Sequence, residues 1–297
     1  MAAVGVVGLG LMGSAFAGRL AGAGFAVVGH DVSAERRAAF TAAGTGTAAD
    51  SLAALAAACD TVLLAVFDTR QVEEVVEGAG GLLAAHAAGT PLRVLCTSTC
   101  DPDRISALAA RCAAAGLAFL ELPMSGTSAQ VAAGKGVGLM GGDPALAAAL
   151  AGVLDAICPT RHHIGQPGDA NRAKLAVNLV LGLHRAALAE GLSFGERIGL
   201  DPARLLEVLQ QSAAASSVMP VKGPLMVARR FDAPQSRVDQ SLKDFGLIRT
   251  LGAQHGQRLP LADVYVQLLE SCVERGEGSL DNAIIVEAVR RCTPAAA

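Results

Sequence analysis

The chain has 297 residues, with 24 Lys and Arg against 27 Asp and Glu, for a formal net charge of −3. That length can hold two domains with sizeable cores, and the interspersed charge argues against a nucleic acid or an anionic membrane as partner. Hydrophobic residues make up 52%, much of it Ala, which favours helices because Ala gives up no side-chain entropy there.

The apolar start, Met1 to Val7, has no basic region before it and runs at once into glycines, so it reads as a first strand and not as a signal peptide. Val-rich Ala3–Val7 feeds directly into Gly8-Leu9-Gly10-Leu11-Met12-Gly13. A helix pattern follows to about Ala23, then a second strand over Phe25–Gly29 that ends at His30-Asp31. A lone G-x-G-x-x-G is weak. Between a strand and a helix, with an acidic residue about 20 positions on, it reads as a dinucleotide fingerprint. Gly8 permits the tight turn, Gly10 lets backbone approach a pyrophosphate, and Gly13 lets helix pack on strand. The helix start at Leu11 and Met12 offers N–H groups to the phosphates. Asp31 would accept from the ribose hydroxyls and repel a 2′-phosphate, which favours NAD over NADP, with NADP still open. The bland alternative is a glycine turn with Asp31 capping the next helix.

Alternation continues. Helix patterns cover Ser33–Ala43 and Asp50–Ala58, a strand covers Thr61–Val66 and ends at Phe67-Asp68, and a short helix lies near Gln71–Glu77. A strand near Arg93–Cys96, a turn from Ser98 to Pro102, a helix from Asp103 to Ala115 and a strand from Ala118 to Leu122 follow. Ligands bind beyond the carboxyl ends of strands in such sheets, so Phe67, Ser98 and Thr99 are candidates for lining a cofactor cleft. Ser98 and Thr99 could equally cap the helix that Pro102 begins. Seven cysteines without a C-x-x-C argue against a disulfide framework or a zinc site, so no metal is expected and all seven read as reduced packing residues.

Next comes Pro123-Met124-Ser125-Gly126-Thr127. A hydroxyl and free backbone N–H groups directly after a strand suit a carboxylate, although an ordinary Ser-Gly turn has the same local pattern. A strand at Val137–Met140, one helix over Pro144–Ile157 and a short strand near Thr160–Ile164 lead to Gly165-Gln166-Pro167-Gly168. Asp169 or Asn171 can cap the apolar helix that follows. Inside that helix stand Lys174 and Asn178, four apart and so on one face. Flanked by Ala173, Leu175, Ala176 and Val177, the lysine is expected to be partly buried, with its pKa pulled down toward a group that trades protons near neutral pH. Taken alone, it could also snorkel out of a half-buried helix.

Beyond Glu190 strand signals nearly vanish. Helix patterns recur at Pro202–Gln211, around Leu242–Ala253, at Pro260–Arg275 and at Asp281–Arg291, with Ser216-Ser217 and Gly223-Pro224 as punctuation. The expected architecture is therefore α/β: a doubly wound Rossmann-type sheet over residues 1–164, then an all-helical domain over 165–297 led by the long Lys174 helix. Apolar stretches in that helix are broken at Asn178, His184 and Arg185 before reaching spanning length, so no membrane contact and a cytoplasmic location are expected.

The ordered set of motifs resembles the β-hydroxyacid dehydrogenase family, the relatives of 3-hydroxyisobutyrate dehydrogenase, over essentially the whole chain. Gly8 to Gly13 resembles its cofactor motif, and Pro123 to Thr127 its Pro-Val-Ser-Gly-Gly substrate motif. Gly165 to Asn178 resembles the stretch with its catalytic lysine and partner asparagine. Ser241-Leu242-Lys243-Asp244 resembles a segment whose lysine reaches toward the cofactor. Thr127 departs from a usual glycine, Leu122 from a frequent alanine, Val177 from an asparagine and Val32 from an arginine. The resemblance implies hydride transfer between NAD and a small 3-hydroxy acid or its oxo form. Lys174 would be the acid–base, Asn178 its partner, Ser125, Gly126 and Thr127 the carboxylate grip, and Lys243 a cofactor contact. It also implies a homodimer or homotetramer. An imine reductase on the same fold and a non-catalytic dinucleotide-binding scaffold are the alternatives; Lys174 counts against the first, and retention of all four motifs against the second.

Overall fold

The structure, a computed structural model, describes residues 3–87 and 92–292. It divides into two compact units, Met1–Lys174 and Leu175–Ala297.

In the first unit the elements are β1 (Ala3–Val7), α1 (Leu11–Gly22), β2 (Val27–His30), α2 (Ala34–Ala42), β3 (Thr47–Ala48), α3 (Leu52–Ala58), β4 (Cys59–Leu64), α4 (Thr69–Glu77) and α5 (Leu82–Ala87). They continue with β5 (Arg93–Cys96), α6 (Pro102–Ala114), β6 (Ala118–Glu121), β7 (Met124–Ser125), α7 (Ser128–Ala132), β8 (Val137–Gly141), α8 (Pro144–Ala149), α9 (Ala151–Ile157) and β9 (Thr160–Gly165). The sheet order is β3-β2-β1-β4-β5-β6-β8-β7, with β9 beside β8. The first six of these are parallel, the doubly wound order; β8 runs antiparallel to β6 and β7.

Both faces of this sheet are covered, which is why its strands read as nearly continuous apolar runs. Successive residues still alternate between layers: Val6 and Leu63 pack into one core cluster, Val7 and Leu64 into the other. Side-chain caps start the helices: Ser33 accepts from Arg36 N, Asp68 from Gln71 N and Asp101 from Asp103 N and Arg104 N. The cap before Pro102 is thus Asp101, not Ser98 or Thr99, and the cap of α2 is Ser33, not Asp31. The stretch expected as one helix over Pro144–Ile157 is two, divided at Leu150.

The helix α10 (Asp169–Arg197) is 29 residues long and runs across the division between the units. By length and composition it could cross a membrane, contrary to the expectation that its polar residues would break it. Two of its charges are taken up by protein: Lys174 and Arg185 are buried, and Arg185 Nη1 donates to the Tyr265 hydroxyl at 2.6 Å. The second unit adds α11 (Pro202–Gln211), α12 (Met219–Ala228), α13 (Val238–Gln254), α14 (Pro260–Glu274) and α15 (Ile285–Arg291) around one core. Here α12 runs straight through Gly223-Pro224, where a break was expected. Burial of Met219, Lys222 and Met226 along it outweighs the hydrogen bond that Pro224 forfeits. All seven cysteines are free thiols; six are buried, but Cys292 is exposed and so is not a packing residue.

Candidate active site

Each glycine of the β1–α1 turn has a distinct steric task. Gly8 sits at φ +91, in the region that disfavours side chains, and a Cβ there would stand 2.5 Å from the Ala65 carbonyl oxygen. A Cβ at Gly13 would lie 1.7 Å from the Gly8 oxygen, so helix and loop pack only because it is absent. At Gly10 a Cβ would meet nothing within 4 Å. That open space, beside the first N–H groups of α1 at Leu11 and Met12, suits the pyrophosphate of a dinucleotide.

Asp31 ends β2 and turns back onto this loop. Its Oδ2 accepts from Leu9 N at 2.8 Å and its Oδ1 from Ser33 N at 2.9 Å, with Arg36 Nη1 3.4 Å away. Burial pushes the carboxyl up, but the Ser33 and Leu9 N–H groups and Arg36 together outweigh it and hold the group below its usual range. Arg37 Nη1 donates to the Asp31 carbonyl at 2.6 Å. The carboxylate is therefore ionised and fixed before any ligand arrives.

At the ends of β4 and β5 the structure brings Phe67 and Ser98 together through backbone. Ser98 Oγ donates to the Val66 carbonyl at 2.8 Å, and Phe67 N donates to Gln71 Oε1 at 2.9 Å. Thr99 follows, half-buried. Beyond β6, Ser125 and Gly126 are half-buried, and Gly126 sits at φ +137. Thr127 also has a local task. It is the N-cap of α7 in a capping box: its Oγ1 accepts from Gln130 N and its own N–H donates to Gln130 Oε1 at 2.8 Å. Its N–H and the acceptor side of its hydroxyl are used within the loop, while the hydroxyl hydrogen, which a capping acceptor does not use, can still donate to an anion. The Thr-x-x-Gln spacing carried that signal in the sequence.

Lys174 is 6% exposed, a lysine taken almost wholly out of water. Asn178 stands one turn further along the same helix. In the second unit the Asn178 Nδ2 donates to Asp244 Oδ2 at 2.7 Å, and Lys243 Nζ lies 2.9 Å from Asp244 Oδ1 in an ion-pair contact. Asp244, which the sequence motif included without a role of its own, fixes which way the amide points: with its nitrogen turned to this carboxylate, Asn178 presents the carbonyl oxygen as an acceptor. Among the described residues no cluster of His, Cys, Asp and Glu could hold a metal.

Residues 3–165 match the family model described as the NAD binding domain of 6-phosphogluconate dehydrogenase. Residues 168–289 match the one described as NAD-binding of NADP-dependent 3-hydroxyisobutyrate dehydrogenase. The chain is 34% identical to an L-threonate dehydrogenase of Cupriavidus necator, over 96% of this chain and 95% of that protein. A crystal structure of 3-hydroxyisobutyrate dehydrogenase from Salmonella typhimurium superposes with a TM-score of 0.87 at 28% identity, covering 97% of this chain and 99% of that one. An imine reductase from Pseudomonas sp. shares 19% identity at a TM-score of 0.65, over 97% and 99% of the two chains, a likeness of fold alone.

Proposed function

We propose that this chain, which belongs to the β-hydroxyacid dehydrogenase family, uses Lys174 as the proton-transferring group in oxidation of a small hydroxy acid with NAD. It is an NAD(P)-dependent oxidoreductase of small hydroxy acids. The observation that carries the finer reading is a lysine buried to 6% exposure, four residues before an asparagine whose amide Asp244 has already oriented.

When bound, the nicotinamide supplies hydride acceptance and donation. The chain's own residues do the rest. The Gly8–Gly13 turn and the start of α1 would hold the pyrophosphate, and Asp31 the ribose. Ser125 Oγ, the Gly126 N–H and the Thr127 hydroxyl would take the carboxylate. Lys174 Nζ would receive the substrate hydroxyl proton during oxidation and return it during reduction, while Asn178 Oδ1 would accept from a substrate hydroxyl. The likeness to the L-threonate dehydrogenase supports a hydroxylated four-carbon acid as a first compound to assay. The imine reductase reading loses ground because its support is fold alone and because a buried Lys174 has no task in it.

Cofactor choice follows from Asp31. A buried carboxylate opposite a 2′-phosphate is a like-charge contact, which Arg36 at 3.4 Å only partly offsets, so NAD is preferred. One set of assays tests both statements. The purified protein should reduce NAD with short hydroxy acids, L-threonate and 3-hydroxyisobutyrate among them, do so less well with NADP, and leave the neutral amides of those acids nearly untouched. Equal rates on acids and amides, or turnover of cyclic imines alone, would overturn the substrate reading; tighter NADP binding would show that Arg36 and Arg37 rule the ribose site.

The second unit exposes large apolar side chains at Phe194, Ile198 and Leu200, with Phe194 64% exposed, and Val208 on α11. Exposed apolar surface of this kind supports a homo-oligomer. Light scattering should return two or four times the chain mass; a monomer at assay concentration would rule assembly out as a requirement for activity.

A further inference from the structure

Three segments that carry the proposed chemistry meet at one buried pair, Glu121 and Asn171. Glu121 is the last residue of β6, two before Pro123 and the substrate loop. It is 0% exposed. Its Oε1 accepts from Asn171 Nδ2 at 2.6 Å and its Oε2 from Gly168 N at 2.5 Å; the Asn171 backbone N–H also points at it. Asn171, also 0% exposed, takes the Cys100 N–H on its Oδ1 at 2.7 Å. Cys100 closes the Ser98-Thr99 turn after β5. One carboxylate–amide pair therefore ties the substrate loop, the cofactor-side loop and the first turn of α10, three residues before Lys174.

Space is reserved for it. Across the sheet, Glu121 pairs with Gly141 of β8, where a Cβ would stand 2.5 Å from Glu121 Oε2. Every group facing the carboxylate is a donor, so a proton on it would have no acceptor to bond. Burial pushes the carboxyl up, with nearby Asp169 adding to the rise, while Asn171 and Gly168 pull the other way. The Cys96 thiol is held well up by its hydrogen bond with Cys100 and by burial, and Glu121 adds to that rise. The donor set requires an ionised carboxylate, and the Cys100 N–H dictates that the amide nitrogen of Asn171 face it.

We propose that Glu121 and Asn171 are positioning residues for Lys174, setting the start of its helix against the loops that bear Ser98, Thr99 and Ser125. This rests on the reading of Lys174 as the proton-transferring group. The polarity along the chain of groups is strict: Cys100 N–H, Asn171 oxygen, Asn171 nitrogen, Glu121 carboxylate, Gly168 N–H. Glu121→Gln places an amide nitrogen against a donor. Flipping Asn171 only moves the clash to Cys100. Exchanging the two functions, Glu121→Gln with Asn171→Asp, restores every donor–acceptor pair: the new glutamine nitrogen donates to the new carboxylate, which also accepts from Cys100, and the glutamine oxygen accepts from Gly168.

The test compares wild type, Glu121→Gln, Asn171→Asp and the exchanged pair at a temperature below all four melting points. Expected are a kcat lowered tenfold or more in each single variant, with NAD affinity by fluorescence titration unchanged, and recovery of most of the kcat in the exchanged pair. A single variant that keeps wild-type kcat would overturn the proposal, as would an exchanged pair no faster than the singles although its melting temperature has recovered. If a single variant does not fold, the exchanged pair against wild type decides on the same kcat criterion. Failure of the underlying reading looks different: wild type itself would then turn over no hydroxy acid, or Lys174→Met would be fully active.

Discussion

Lys174→Met should yield a folded protein that binds NAD as wild type does and oxidises hydroxy acids about 10²–10⁴-fold more slowly, the usual contribution of a positioned acid–base group. Methionine keeps most of the lysine's unbranched stem, so the packing of a side chain only 6% exposed changes little while the amine disappears. Leu175 beside it is 2% exposed, and Asn171 one turn before it is fully buried, so the helix here is held on several sides independently of the ammonium. Cofactor affinity should survive because the Gly8–Gly13 turn and Asp31 are arranged by their own local contacts. The loss should fall on kcat, since the group removed acts on the reacting proton. Steady-state rates with a hydroxy acid, beside an NAD titration, measure both halves. Normal turnover with a normal pH profile would end the assignment. Joint loss of NAD binding and folding would make Lys174 a structural residue only.

The second large effect is expected far from that chemistry. Lys222→Met should lower stability by about 3–5 kcal/mol, the range for breaking a buried ion pair by removing one partner. Lys222 is 3% exposed and Asp281 0%; the ammonium donates to both carboxylate oxygens at 2.8 Å and to Ser236 Oγ at 3.0 Å. Asp281 also takes the Gln235 and Ala283 N–H groups, so the pair joins α12 to the loop before α13 and to the turn before α15. Burial pushes the lysine down to about 8 against the pull of Asp281, with Arg185 pushing the same way as burial. Lys222 is thus charged at neutral pH, and methionine would leave the Asp281 carboxyl in the core facing three backbone donors, the Gln235, Ser236 and Ala283 N–H groups. Thermal unfolding should move down by on the order of 10 °C. Adding Asp281→Asn should recover part of the loss, because the stranded charge goes too. An unshifted melting curve for Lys222→Met would show that the pair contributes nothing net.

Much of the first unit was legible because its signals are local. The Val-rich β1, the three glycines and Asp31 all lie between Ala3 and Asp31, and each task is set by its chain neighbours: a turn, an approach, a helix start. Caps such as Ser33 and Asp68 act over three residues. Lys174 could be picked out because a lysine inside an apolar helix conflicts with its surroundings whatever the fold. Local rules also misled. Gly223-Pro224 looked like a stop until the burial of α12 outweighed it.

What only the tertiary structure decided is the partner of each buried polar group. Glu121 meets Asn171 across 50 positions, Cys100 meets Asn171 across 71, Asn178 meets Asp244 across 66 and Lys222 meets Asp281 across 59. In the sequence Glu121 is an acid at the end of a strand, indistinguishable from a solvated one, and Asp244 is the neighbour of a lysine. Their roles arise when sheet register and helix packing exclude water from them. A buried polar group must then find its partner among whatever strand ends and helix starts the fold brings within about 3 Å. Apolar periodicity determines which segments pack. It carries no information on which carboxylate will face which amide once they do.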